Sequence, residues 1–104
     1  MKFTTFIPLN LNDGSAISQD ELNQVLADLS TRFGGLTLEG EVDGRWIHDG
    51  QTFHDRNLKV SIVTDNSRYQ EARQAVVDIG KRFDQLAMFF EVAYFDGVEI
   101  LQID

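Results

Sequence analysis

The chain has no cysteine, one proline and few basic residues. Without cysteine there is no disulfide, no thiolate metal centre and no cysteine nucleophile. Nine Lys and Arg stand against 17 Asp and Glu, a formal net charge of −8. Nucleic-acid backbones and anionic membrane surfaces both recruit clustered Lys and Arg, so neither is an expected partner. No stretch approaches the ~18–20 apolar residues of a membrane-spanning helix. Met1–Pro8 has no uninterrupted apolar run of signal-peptide length, so a cytoplasmic location is expected. A glycine-rich phosphate loop is also missing, because Gly34-Gly35 reads as the end of a helix rather than the start of one. Ser, His and Asp occur without a nucleophile-elbow pattern, and no cofactor is expected.

What is present fits one soluble domain spanning residues 1–104, with 42% hydrophobic and 25% charged residues, near globular averages. Phe3, Thr5, Ile7, Leu9 and Leu11 alternate and read as a strand. Pro8 falls on the opposite phase, which implies an edge or a point unpaired on that side. Ser18 and Glu21 form a capping box ahead of Leu22, Val25, Leu26, Leu29 and Phe33, so a helix is expected over 18–33. Residues 36–48 alternate, with Leu36, Leu38, Val42 and Trp46 inward and Thr37, Glu39, Glu41, Asp43 and Arg45 outward. Asp49-Gly50 is a hairpin turn, with Asp43-Gly44 as the other candidate tip. Residues 52–64 return as the partner strand, with irregularity at 53–57. Ser67 starts a second helix over 67–83, and 86–95 and 98–103 read as two further apolar strands. The order predicts an α+β, ferredoxin-like βαββαβ sandwich with an extra C-terminal strand and both helices on one face of an antiparallel sheet.

One sheet face then lacks helices. On the strand at 86–95 neither phase is polar: Met88, Phe90, Val92 and Tyr94 lie on one side, and Phe89, Ala93 and Phe95 on the other. A strand apolar on both sides is buried on both or meets a partner. A homodimer through the C-terminal strands is therefore expected, with Phe89, Phe90, Val92 and Phe95 at the interface. Cover by residues 1–16 or by a loop is the other solution.

His48-Asp49 and His54-Asp55 repeat a His-Asp pair. A two-residue turn at Asp49-Gly50 sends the two histidines to opposite faces, whereas a three-residue loop at 49–51 places both on one face. Only the second register is compatible with a shared metal, and no metal is expected. Glu39, Glu41 and Asp43 stand about 7 Å apart along one face, and read as a solvated row rather than an acid–base pair. Trp46 is the only tryptophan and reads as core, with Phe53 as its companion in any ligand pocket.

Phe33-Gly34-Gly35-Leu36-Thr37, Gly44-Arg45-Trp46, Asp49-Gly50 and Lys59-Val60 together resemble a bacterial family of unknown function, with its Gly-Leu-Thr, Gly-x-Trp and Lys-Val segments. The resemblance spans residues 33–63 and continues loosely to Phe83-Asp84-Gln85. It implies a ferredoxin-like α+β domain and transfers no catalytic residue. Dimeric α+β barrel proteins are broader relatives in shape, and some degrade small aromatic or haem-like molecules.

The leading expectation is a small acidic α+β binding or interaction domain that acts as a homodimer without catalysis. The alternative is a small-molecule enzyme of the dimeric α+β barrel kind. Its pocket would lie between sheet and helices near His54, Trp46 and Tyr94, with His48 as a further catalytic candidate. That alternative requires an enclosed cavity lined by at least one histidine. A weaker alternative is an acidic mimic of nucleic acid that blocks a basic protein, which requires the acids on one surface.

Overall fold

In the computed structural model, residues 1–95 and 97–103 are described. The elements are β1 (Lys2–Pro8), α1 (Gln19–Phe33), β2 (Thr37–His48), β3 (Gln51–Val63), α2 (Tyr69–Arg82) and β4 (Phe90–Ala93). The sheet has the order β2-β3-β1-β4, and every pairing is antiparallel. Two helices on a four-stranded antiparallel sheet make the expected α+β, ferredoxin-like arrangement.

Local chemistry starts and stops the helices. The Ser18 hydroxyl accepts from the Glu21 N–H at 3.1 Å, and the Gly34 N–H donates to the Ser30 carbonyl. α1 buries Leu22, Val25, Leu29 and Phe33, one stripe at helical spacing. The second helix begins differently from expectation. Asp65, not Ser67, is the capping side chain; it accepts from the Ser67 N–H at 2.8 Å and opens a 3₁₀ turn at Asn66–Arg68. α2 then buries Ala72, Ala75, Val76, Ile79 and Gly80.

The core lies between the helices and one sheet face. Phe3, Thr5 and Ile7 of β1 stand opposite Ile62, Val60 and Leu58 of β3, on the face that the helices cover. Phe3 meets Phe33 edge-on with centroids 5.2 Å apart. Pro8 sits in a central strand without penalty. The Leu9 N–H donates towards β3, to the Arg56 carbonyl, so the neighbouring Pro8 nitrogen faces the β4 side. β4 pairs with β1 only from Lys2 to Thr5, so no acceptor waits there.

The C-terminal part departs furthest from expectation. Only Phe90–Ala93 of the 86–95 stretch is strand, and residues 97–103 add no fifth strand to the sheet. Residues 84–89 are instead a connection tied to both neighbours. The Gln85 N–H donates to the Gly80 carbonyl, and the Thr5 hydroxyl donates to the Phe89 carbonyl at 2.7 Å. Among the described residues beyond Ala93 the large apolar side chains, from Tyr94 to Ile103, are exposed rather than covered, and ladder hydrogen bonds alone add little net stability. Among the described residues no helix is long and apolar enough to cross a membrane.

Candidate functional site

The geometry of the site follows from one extra residue in β2. Leu38 pairs with Val60, but the next pair is Gly40 with Lys59, so Glu39 is a β-bulge. Gly40 has φ +99, a value that favours glycine. Side chains alternate with period 2, so one inserted residue exchanges the faces of everything beyond it. Leu38 stays on the helix side. Val42, Gly44 and Trp46 move to the helix-free side, opposite Asn57, Asp55 and Phe53. Glu41, Asp43 and Arg45 move the other way. Trp46 is therefore not a core residue, and the expected row of Glu39, Glu41 and Asp43 is broken at its first member.

The β2–β3 hairpin outruns the sheet. β1 pairs with β3 only as far as Pro8 and Asn57, so Asp43–His48 and Gln51–Arg56 form a two-stranded ribbon of six pairs. The turn is Asp49-Gly50, with φ +52 and +74, the signature of a two-residue type I′ turn. His48 then pairs with Gln51, and Arg45 with His54. The two histidines point to opposite faces, the register in which no shared metal site exists. Both are exposed, and His48 lies 3.3 Å from Asp49. Among the described residues no three His, Asp or Glu side chains converge as a metal site would require.

Trp46 and Phe53 stack across the ribbon at 4.7 Å, and the Trp46 Nε1–H donates to the Asp55 carboxylate. Both Trp46 and Asp55 are half-buried on the helix-free side. A second stacked pair, Phe6 and Phe89 at 4.2 Å, belongs to the same side. Between the Phe6–Phe89 pair and Trp46 lies a cavity of about 340 Å³, walled by Phe6, Trp46, Asp55, Asn57 and Phe89. An adjoining cavity of about 510 Å³ has mixed walls, with Asn12, Asp43, Arg45 and His54 beside Leu11 and Phe53. Gly44, Arg45, Asp55 and Gln85 border both, so they form one groove at the root of the ribbon. The Asn12 Nδ2–H donates to the Asp84 carbonyl at 2.6 Å, which ties the β1–α1 loop to the 84–89 connection at the groove's edge.

The expected residues are thus only partly gathered. Phe53, Trp46 and His54 reach the groove, with His54 across the ribbon from the aromatic side. Tyr94 does not: it follows Ala93, which pairs with Lys2 at the far end of β1. The space between sheet and helices is filled by core side chains such as Phe3, Ile62 and Phe83, and the His54 groove opens to solvent. Of the suspected interface residues, Phe90 packs against Phe3 and Tyr69, and Val92 joins it against the core, because both share the helix-side phase of β4. Phe89 and Phe95 are exposed. Phe6, Arg45 and Gln85 are groove residues that the sequence reading misses, although the off-phase position of Phe6 in β1 is a signal.

Acids elsewhere are dispersed and partly neutralised. Glu41 pairs with Arg56 at 2.8 Å on the ribbon, and Glu71 holds Arg68 and Arg32 near the helices.

No protein-family model matches the chain, and no curated protein matches it. Solved structures do. The divalent cation tolerance protein Cut A1 from Thermus thermophilus superposes with a TM-score of 0.67 at 9% identity, covering 95% of this chain and 88% of that one. A phage S-adenosylmethionine lyase in complex with S-methyl-5′-thioadenosine gives 0.61 at 11% identity, covering 86% and 76%. The lyase in its apo state gives 0.57 at 12%, covering 92% and 91%. At such identities the likeness is one of fold: the chain shares the ferredoxin-like α+β architecture of these proteins.

Proposed function

We propose that the chain is a small acidic α+β binding domain that works as a homodimer, joined through β4 and the segment that follows it. The observation that carries this reading is the C-terminal segment. Ile100, Leu101 and Ile103 are 80%, 73% and 90% exposed, and Val98 and Tyr94 are also open. Exposed apolar side chains clustered in one segment mark a contact surface. It follows β4, an edge strand whose outer backbone groups have no partner strand among the described residues, and an unpaired edge is a template for another chain. A second copy supplies both the strand edge and the apolar cover in one symmetric contact. Sedimentation at micromolar concentration tests it: a dimer is expected, and Ile100→Asp with Leu101→Asp returns a monomer of unchanged far-UV spectrum. A monomer for the unsubstituted chain overturns the reading.

The groove at the root of the ribbon favours a second reading, that the domain binds a small molecule. Its volume lies in the range of ligand sites, with aromatic walls and a few polar groups. A similarly folded phage lyase is found in complex with S-methyl-5′-thioadenosine, which supports this reading. Both histidines are exposed, and the cavity that His54 borders opens to solvent, so this reading assigns neither a catalytic role. The acidic-mimic alternative is weakened by the pairing of Glu41 and Glu71 with arginines.

A further inference from the structure

Register decides which side chains share the helix-free face at the root of the ribbon. Phe6 lies there because Phe3, Thr5 and Ile7 take the other phase of β1. Trp46, Asp55 and Asn57 lie there because Trp46 pairs with Phe53, Gly44 with Asp55 and Val42 with Asn57. Phe89 joins them by stacking on Phe6. The cavity of about 340 Å³ therefore has three rings, Phe6, Phe89 and Trp46, and one carboxylate, Asp55, on the same face. Arg45 also borders this cavity, but it pairs with His54, and alternation turns its side chain to the opposite face of the ribbon. Lys59 shares the helix-free face, opposite Phe6, and stands outside the cavity walls. Among the described residues no Lys or Arg lies within ion-pair distance of Asp55. One oxygen of its carboxylate accepts the Trp46 Nε1–H, and the other has no protein donor among the described residues.

Gly44 makes the room. Its φ is not positive, so the backbone does not demand glycine. A Cβ built there meets only Asn57 Nδ2, at 3.9 Å. A side chain would fit the strand, and its absence leaves space beside Asp55. A carboxylate flanked by aromatic rings suits an organic cation. Aromatic cages recognise quaternary ammonium groups through the negative faces of the rings. Such a group carries no N–H, so it needs no acceptors beyond the negative charge beside it. In a chain of net charge −8 the wider field also favours the approach of a cation.

Resting on the small-molecule reading above, we infer that this cavity takes an organic cation of the quaternary-ammonium class, its methyl groups against Phe6, Phe89 and Trp46 and its charge beside Asp55. The test is an NMR titration of the full chain that follows the indole N–H signal of Trp46, the only tryptophan. The probes are choline, phenyltrimethylammonium, the neutral choline isostere 3,3-dimethyl-1-butanol, and adenosine. Both cations move the signal to saturation, and the neutral isostere binds about fivefold or more weakly than choline. Asp55→Asn keeps an acceptor for the indole and removes the charge. It weakens both cations about fivefold or more and leaves the neutral isostere unchanged. Gly44→Val fills the space and abolishes binding of the cations. Far-UV spectra and melting temperatures of both variants confirm that they fold. If the isostere binds as well as choline and Asp55→Asn changes neither, the cation assignment is overturned while the small-molecule reading stands. The same holds if adenosine binds and the cations do not. If the cations bind Gly44→Val as well as the unsubstituted chain, the cavity assignment is overturned. If no probe moves the signal at millimolar concentration, the small-molecule reading fails together with the inference.

Discussion

Trp46 donates its indole N–H to Asp55, and the two side chains meet because the ribbon register places Gly44 opposite Asp55 and Trp46 opposite Phe53. Two residues apart along the same face, an indole reaches its diagonal neighbour. Gly44 offers no side chain in between. The same contact fixes one wall of the groove.

Asp55→Ala is therefore expected to loosen Trp46. The cost is about 1 kcal/mol for the lost hydrogen bond, measured by urea denaturation. Trp46 is the only tryptophan, so its emission reports the change directly and should shift to the red. An unshifted spectrum would mean that stacking on Phe53 alone holds the ring.

Thr5 anchors the other wall. It is 1% exposed, and its hydroxyl donates to the Phe89 carbonyl just before β4. Thr5→Val keeps the shape and removes the donor, which leaves that carbonyl without its partner. The expected loss is about 1 kcal/mol or somewhat more. Amide exchange at residues 89–91 should accelerate relative to β3, and uniform exchange across the sheet would contradict this account.

Gly80 in α2 faces Met88, and a Cβ built there would lie 2.7 Å from the Met88 Cγ. Gly80→Ala alone is expected to destabilise by about 1 kcal/mol, since the overlap outweighs the better helix propensity. In a Met88→Ala background the overlap disappears, and the same substitution becomes stabilising by up to about 1 kcal/mol. A double-mutant cycle in denaturant reads the coupling between the two sites. Additive effects would show that the connection moves freely away from the helix.

These elements differ in how far the sequence alone can reach them. The Ser18 cap, the α1 stripe and the Asp49-Gly50 turn depend on neighbours within a few residues, and they are legible. So is the alternation of β3, whose Leu58, Val60 and Ile62 face the core. The faces of β2 are not. Alternation is counted from one end, and the Glu39 bulge moves Trp46 to the helix-free side. Gly40 is the one local sign of it. The apolar stretch at 86–95 misleads for another reason: two apolar phases say that both sides want cover, without saying whether strand or connection supplies it. The groove joins Phe6, Trp46, Asp55, Gln85 and Phe89, residues up to 83 positions apart, and only the sheet order brings them together.

The last prediction concerns acid stability. Glu71, in the first turn of α2, accepts from Arg68 at 2.7 and 2.8 Å and from Arg32 of α1 at 3.3 Å. The Arg68 hydrogen bonds are the main cause that lowers its carboxyl from 4.5 to about 2; partial desolvation opposes them, and Arg32 adds to the lowering. Arg68 also donates to the Arg32 carbonyl and lies over the Phe33 ring at 4.6 Å, so the cluster joins the end of α1 to the start of α2. A carboxyl with a lower pKa folded than unfolded binds fewer protons in the native state. Its stabilisation is complete above the unfolded value and is lost as pH falls towards the folded one. The difference in stability between the unsubstituted chain and Glu71→Gln should be constant above about pH 5 and shrink through the interval from 4.5 to about 2. Salt should reduce it throughout, because the groups are solvent-exposed. Chemical denaturation of both chains across this range measures the difference, in which the other carboxylates cancel. A difference that stays constant down to pH 2 would show that Glu71 acts by packing rather than by charge.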